Sequence, residues 1–502
     1  MPCRAGADAA DRTPDGPRVA ASLVAMPSDP ASLELAPADM RRMGETVVER
    51  VVRFIETLPR QPVCGDVQAE ALCRALRGPV PLGPSSLDAV LGELFDQLIP
   101  RSFNTASPGY LAYVPGGGLF PAALADFIAD GVNRFTGIWQ AAPALVQLEA
   151  NVLDWFRDWL QFPPATRGLL TTGGSMANFN AIVCARERRL GTRLRDGVLY
   201  TSTQVHHSVL KSARLAGILP DRVRRIPVDG DFRMRVEALE AEVRADRAAG
   251  LSPFMVVSSA GTTNTGAVDP LAALTAVCRS EGLWHHADGA YGAFFHAVPA
   301  LRPLLAGLPD VDSVTLDPHK GLFLPYGTGA LLVRDGSALR AAHQGTAGYL
   351  PEFPDAEEFY DPSQHGPDLS RGFPGLRVWL SVRLFGADRL VAAIAEKRAL
   401  ALDAAARFAR IPGIVVDAAP QLSLFAFHVE RPGMAEPAQS CATRALLDRV
   451  VARGRVMLSG CVVDGRFLGR VCVLSFRTRQ EQIDQCVEDV ATETRQLLAE
   501  PS

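Results

Sequence analysis

Between residues 168 and 317 short apolar segments alternate with helical patterns, and this alternation limits the fold more than any other feature of the chain. Leu169 and Leu170, Val198-Leu-Tyr-Thr-Ser202, Phe254 to Ser259, Leu283 to Asp288 and Val314-Thr-Leu316 each read as a buried strand. Strands spaced by helices predict an α/β fold with a mostly parallel central sheet. Open sheets of that kind hold ligands at one strand edge, so the residues that follow each strand become the candidates for chemistry.

Those residues form a set. Gly168-Leu-Leu-Thr-Thr-Gly-Gly-Ser-Met-Ala-Asn178 reads as strand, glycine turn and helix start, with Ser175 expected as the cap. Free N–H groups at such a helix start favour a phosphate, while the glycine spacing fits neither a Walker loop nor a dinucleotide fingerprint. Gln204-Val-His-His-Ser208 follows the next strand, Ala260-Gly-Thr-Thr-Asn-Thr-Gly266 the third, and the fourth ends on Asp288. A carboxylate at a buried strand end needs a partner. Asp317-Pro-His-Lys-Gly321 closes the series with Lys320 beside His319. An amine in an enclosed site loses its proton more easily and attacks carbonyl groups. Each feature has a plain alternative, a capped helix or a loop histidine or lysine, yet five such endings at one edge describe one site.

The 502 residues, 48% of them hydrophobic, are enough for a large core and two or three domains. A net charge of −4 offers no basic field for nucleic acid or an anionic membrane. Partners are therefore expected to be small molecules or copies of the chain. The nine cysteines are scattered, with no C-x-x-C pair and no Cys/His cluster at metal-ligand spacing, as expected of reduced thiols in a cytoplasmic protein with no metal site. No apolar run is long enough to span a membrane.

Residues 1–35 lack periodicity and read as a disordered leader. A helix capped by Asp39 is expected over Met40, Met43, Val47, Val51 and Phe54, and a second over Ser86 to Leu98. The glycine- and tyrosine-rich loop Pro108 to Gly118 reads as a pocket wall or a structural turn, and helices are expected over 122–133 and 145–160. After Gly348 a long Pro/Asp/Glu/Gly segment runs to Ser370, a length that suggests a lid. A helix, strands at 422–429 and 470–476 and a final helix at 480–498 then predict a smaller α/β domain.

Asp317-Pro-His-Lys320, His286-Ala-Asp288 with Ala290-Tyr291, Gly261-Thr-Thr263 and Gln204-Val-His206 resemble the group II pyridoxal-phosphate decarboxylases, nearest the aromatic L-amino acid decarboxylase branch. The resemblance runs from about Met40 to the C-terminus. It implies fold type I (aspartate aminotransferase-like), with a dimerisation segment at 36–119, a large cofactor-binding domain at 120–389 and a small domain at 390–502. It further implies pyridoxal 5'-phosphate held as a Schiff base on Lys320, with Asp288 paired to the ring nitrogen and His206 stacked on the ring. Thr263 and Ala290 would lie near the ring, Gly174, Ser175 and Met176 would cradle the phosphate, and His319 matches the histidine before the lysine. Asp317 departs from the asparagine common in that branch, and an acid there would repel the phosphate unless it turned away or held a proton.

By its spacing from Lys320, Tyr349 matches the family tyrosine that returns a proton to Cα after CO₂ leaves; Tyr360 is a second candidate. Tyr113, Val114, Pro115, Phe135, Ile138 and Trp139 resemble the substrate-pocket segments of the aromatic branch. Gly137 stands where animal enzymes carry phenylalanine, and Phe135 replaces a smaller residue. Leu369 resembles a residue given to the neighbouring subunit's pocket, which implies a homodimer. The expected reaction is decarboxylation of an L-amino acid to the amine. Alternatives are an oxidative aldehyde synthase, a decarboxylase of a non-aromatic amino acid, a transaminase or carbon–carbon lyase, and an inactive cofactor-binding subunit.

Overall fold

A computed structural model of the chain describes residues 32–65, 69–345, 358–417, 419–430 and 433–500. By its internal contacts the chain divides into two compact units, one of residues 1–57 with 65–103 and one of residues 58–64 with 104–502.

In the first unit the helix Pro37–Thr57 begins two residues before Asp39, because Pro37 can open a helix. Asp39 is therefore not the cap; it pairs with Arg42 at 2.6 Å, one turn on. Ser86 does cap Leu87–Gly92, accepting from the Ala89 N–H at 3.2 Å, and the chain continues as a π turn over Glu93–Leu98. Arg50 clamps Asp96 through 2.7 and 2.8 Å hydrogen bonds and lies over Phe95, whose ring meets Phe54 edge-on at 6.2 Å. These contacts hold the helix Pro37–Thr57 to the turn Glu93–Leu98.

The second unit carries a seven-stranded sheet of β1 (Arg167–Thr171), β2 (Gly197–Ser202), β3 (Val223–Ile226), β4 (Ser252–Ser259), β5 (Trp284–Asp288), β6 (Ser313–Leu316) and β7 (Gly329–Val333). Their order is β1-β7-β6-β5-β4-β2-β3. All pairings are parallel except those of β7, which runs antiparallel to both neighbours. β1 therefore points the same way as β6, and the carboxyl ends of β1, β2, β4, β5 and β6 share an edge with the amino end of β7. Helices cover both faces, which is why these strands read as apolar runs. Successive side chains alternate between the faces: Leu169 and Leu331 pack with Ala181, Ile182 and Ala185 of the helix Gly174–Leu190, while Leu170 and Leu332 join Phe156 and Phe294 on the other side.

A second sheet, ordered β10-β11-β9-β8 and antiparallel throughout, comprises β8 (Ile414–Val416), β9 (Leu424–Val429), β10 (Ser459–Val463) and β11 (Arg466–Cys472). β11 lies earlier than the expected 470–476, because Asp464-Gly465 turns the chain directly from β10 into a hairpin. Phe408, on the helix Ala387–Phe408, meets Phe425 at 5.2 Å and Phe427 at 5.1 Å in the core of this part. Among the described residues no helix is long and apolar enough to cross a membrane.

Candidate active site

The shared strand edge opens into a cavity of about 380 Å³ walled by Gly173, Gly174, Ser175, Asn178, His206, Ser208, Thr263, Asp288, Ala290, Tyr291, Asp317, His319 and Lys320, among others. The parallel register produces this convergence: His206 and Lys320, 114 positions apart in sequence, line one cavity because β2, β4, β5 and β6 run side by side.

β6 ends at Leu316, and Asp317 starts the single turn Pro318–Gly321, its carbonyl accepting from the N–H groups of Lys320 (2.9 Å) and Gly321 (3.0 Å). That turn aims the lysine back toward the aspartate. Lys320 Nζ lies 2.9 Å from Asp317 Oδ2. Burial pulls the lysine's affinity for its proton down, but the charges of Asp317 and Asp288 and the Asp317 hydrogen bond outweigh it, so its pKa is raised. His319 donates from Nδ1 to the Thr328 carbonyl at 2.6 Å, and its Nε2 faces Asp317 at 3.6 Å.

At the end of β1, Gly173 takes φ +152°, a conformation that suits glycine, and it is the residue before the helix Gly174–Leu190. Ser175 is thus inside the helix rather than its cap, since the glycine pair lets the helix begin earlier. The first helix N–H with a partner belongs to Met176, bonded to the Gly173 carbonyl at 3.0 Å, so those of Gly174 and Ser175 project from the helix end. A Cβ at Gly174 would lie 3.0 Å from the Ala290 Cβ and 3.1 Å from Asp317 Oδ2. Its absence leaves a recess for an anion, bordered on one side by a carboxylate.

Asp288, at the end of β5, accepts from Asn178 Nδ2 at 2.9 Å and from the Ala290 N–H at 3.2 Å. His206 precedes the helix His207–Leu215 and its Nδ1 accepts from the Ser208 N–H at 3.3 Å. Burial pushes this imidazole below its ordinary pKa, and the Asp288 charge offsets that only in part. The loop that carries Thr263 is held by Arg470 of β11, whose guanidinium donates to the carbonyls of Thr263 and Asn264 and to Ser459 Oγ. The same arginine reaches the Tyr113 carbonyl at 3.3 Å.

Of the residues expected to hold a cofactor, all but Met176 line the cavity; Met176 is the third residue of the helix Gly174–Leu190. Tyr349 lies outside the described residues. Tyr360 is buried away from the cavity, stacked on His365 at 4.9 Å. Tyr113, Val114, Pro115, Phe135, Gly137, Ile138, Trp139 and Leu369 are not part of the cavity wall of the single chain. Some of them meet one another: a Cβ at Gly137 would strike the Leu369 carbonyl at 2.0 Å and the Phe135 ring at 2.7 Å. Phe135 thus fills the space that a larger residue 137 would need. Sequence reading missed Asn178, Ser208 and Arg470, each of which touches a residue it did single out.

These groups fit pyridoxal phosphate. A recess without Cβ atoms, next to projecting N–H groups, suits the phosphate; Lys320 suits the aldehyde; and a carboxylate held by an amide suits a protonated ring nitrogen.

The profile of the pyridoxal-dependent decarboxylase conserved domain matches residues 71–429. The aromatic-L-amino-acid decarboxylase of Bacillus atrophaeus is 32% identical over 456 residues, covering 90% of this chain and 95% of that protein. The phenylacetaldehyde synthase of Arabidopsis thaliana is 27% identical over 472 residues, covering 91% of this chain and 96% of that protein. Among solved structures, Oryza sativa TDC with PLP and tryptamine superposes with a TM-score of 0.87 at 27% identity, covering 92% of this chain and 99% of that one.

Proposed function

The chain belongs to the pyridoxal-dependent decarboxylase family, and from that premise we propose that its substrate is an aromatic L-amino acid, converted to the amine and CO₂. It is a carboxy-lyase of fold type I that uses pyridoxal phosphate as cofactor. The observation that carries the reading is the convergence of Lys320, Asp288 and His206 on one cavity.

When bound, the cofactor supplies an electron sink for the pair left behind as the carboxylate departs. Lys320 would provide the amine that holds the cofactor's aldehyde carbon. Asp288 keeps a proton on the ring nitrogen by placing negative charge beside it, and without that proton the sink is weak. His206 would pack against the ring and help position the carboxylate to be lost. The N–H groups of Gly174 and Ser175 would hold the phosphate, whereas that of Met176 is already taken by the Gly173 carbonyl. Tyr349 returns a proton to Cα.

The aromatic preference draws support from the apolar residues Val114, Phe135, Ile138 and Trp139 and from the relatives named above. That none of these residues lines the single-chain cavity favours a homodimer in which Leu369 and its neighbours complete the pocket of the other subunit. Exposed Phe127, Ile128 and Val132 on the helix Phe120–Val132 offer an apolar surface for such an assembly. The described cysteines are all free, in keeping with a cytoplasmic location.

Incubating the purified protein and pyridoxal phosphate with each of the twenty amino acids, with mass spectrometry for amines and a CO₂ assay, tests the reading. An aromatic amine is the expected product; a non-aromatic one would reject the substrate class, and absence of CO₂ from every amino acid would reject the activity. An oxidative reaction, suggested by the similarity to phenylacetaldehyde synthase, would appear as peroxide in the same incubations.

A further inference from the structure

Behind the cavity a buried hydrogen-bond chain passes through one amide, that of Asn178. The carboxylate of Asp288 can only accept, so the Asn178 Nδ2 side must face it, at 2.9 Å. The amide oxygen is then directed at His286 Nε2 (3.0 Å) and Thr315 Oγ1 (2.8 Å), both of which must donate. His286 therefore carries its proton on Nε2, and its Nδ1 accepts from Ser313 Oγ at 2.8 Å. Ser313 Oγ in turn receives the Trp284 indole N–H at 2.8 Å. On the other side, Asn178 Nδ2 donates its second hydrogen to Ser208 Oγ at 3.1 Å. That hydroxyl lies 2.8 Å from His206 Nδ1, which already accepts the Ser208 N–H and so accepts the Ser208 hydroxyl as well. Asn178, His286, Ser313 and Thr315 are buried, so no water competes for these bonds.

We propose that Asn178 is a positioning residue that orients Asp288 and, through Ser208, fixes His206 in the tautomer with its proton on Nε2. Two groups assigned to the cofactor ring are thereby linked to one side chain: Asp288 cannot rotate without breaking its bond to the amide, nor His206 without breaking its bond to the Ser208 hydroxyl that the amide holds. The inference rests on the cofactor reading above, under which Asp288 and His206 act at the ring. The burial that holds His286 to a pKa of about 4 keeps that ring neutral, as the direction of the chain requires.

The test uses the pyridoxal-phosphate-loaded enzyme and two variants. Asn178→Asp is nearly isosteric but sets a second carboxyl against Asp288; kcat should fall roughly 100-fold, and the pH dependence of the bound cofactor's visible absorption should shift. Ser208→Ala cuts the link from the amide to His206 and leaves the Asn178–Asp288 bond in place; kcat should fall about 10-fold with that absorption unchanged. Wild-type kcat and an unshifted absorption profile in Asn178→Asp would overturn the proposal. Nitrogen-15 NMR of the wild-type imidazoles, with His206 assigned by its loss in His206→Asn, needs no folded variant at position 178. A protonated Nε2 is expected, and a protonated Nδ1 would overturn the proposal. Failure of the wild-type protein to bind cofactor at Lys320, seen as no borohydride-fixed adduct on that residue, would instead reject the cofactor reading.

Discussion

Asp317 Oδ2 lies 2.9 Å from Lys320 Nζ, while Asp317 Oδ1 has no hydrogen-bond partner among the described residues. The side chain is buried, and it borders the recess at Gly174 that is assigned to the phosphate. Its carboxylate does not turn away from the site. It acts as counter-ion to the lysine and faces the position of an anion.

This arrangement predicts the behaviour of Asp317→Asn. An amide keeps the shape, removes a charge next to a phosphate that carries close to two negative charges at neutral pH, and lowers the raised pKa of Lys320. Both changes favour cofactor capture, so pyridoxal phosphate should bind about 10-fold more tightly at pH 8, the equivalent of one pKa unit of interaction. Titration followed by cofactor absorbance measures it. Unchanged or weaker binding would remove Asp317 from the neighbourhood of the phosphate.

Lys320→Ala should abolish release of CO₂ from the substrate and remove the borohydride-fixed adduct, because no other described lysine lines the cavity. A variant that still releases CO₂ near the wild-type rate would show that the covalent role belongs elsewhere.

Asp288→Asn keeps the contacts of a planar side chain but loses the charge proposed to hold a proton on the ring nitrogen. A fall in kcat of roughly 100-fold is expected, with cofactor still bound. The diagnostic is a supplementary cofactor analogue: N-methylated pyridoxal phosphate, whose ring nitrogen is permanently cationic, should restore part of the rate. No restoration would argue for a different role of the carboxylate.

Much of this site was legible because a buried parallel strand announces itself as an apolar run, and each run here stops at a glycine, proline or lone polar residue. Asp288 and Lys320 stood out by being charged at such ends. Asn178 carried no comparable signal: it sits one helical turn after Gly174, and only the folded chain brings it to Asp288, 110 positions away. Arg470 was hidden for the same reason, since its partners Thr263 and Asn264 lie in the loop after β4 of the other sheet. The cap expected at Ser175 failed because two adjacent glycines allow a helix to start at the first backbone position that can turn.

Tyr349→Phe removes the only proton that side chain can give. If Tyr349 protonates Cα, oxygen reaching the unprotonated carbon should divert turnover to aldehyde, ammonia and peroxide, with CO₂ still released. The ratio of peroxide to amine reads this directly, and an unchanged amine yield would dismiss the tyrosine.

His285 lies between Ser258 Oγ and Thr275 Oγ1, each at 2.8 Å, and burial drives its pKa down to about 3. Its folded value is below the unfolded value of about 6.5, so the unfolded chain binds more protons between those limits. Stability is therefore lost as pH falls below about 6.5, and from pH 7 to 5 this one residue should cost about 2 kcal/mol. Asp269, buried and raised to about 6, works in the opposite sense, since it gains a proton in the folded chain over part of that range. The wild-type curve mixes these contributions, but a comparison with His285→Gln cancels the shared ones. Urea unfolding at pH 7 and pH 5 should show the wild type losing about 2 kcal/mol more than the variant. Equal losses would mean that the imidazole is not buried neutral between the two hydroxyls.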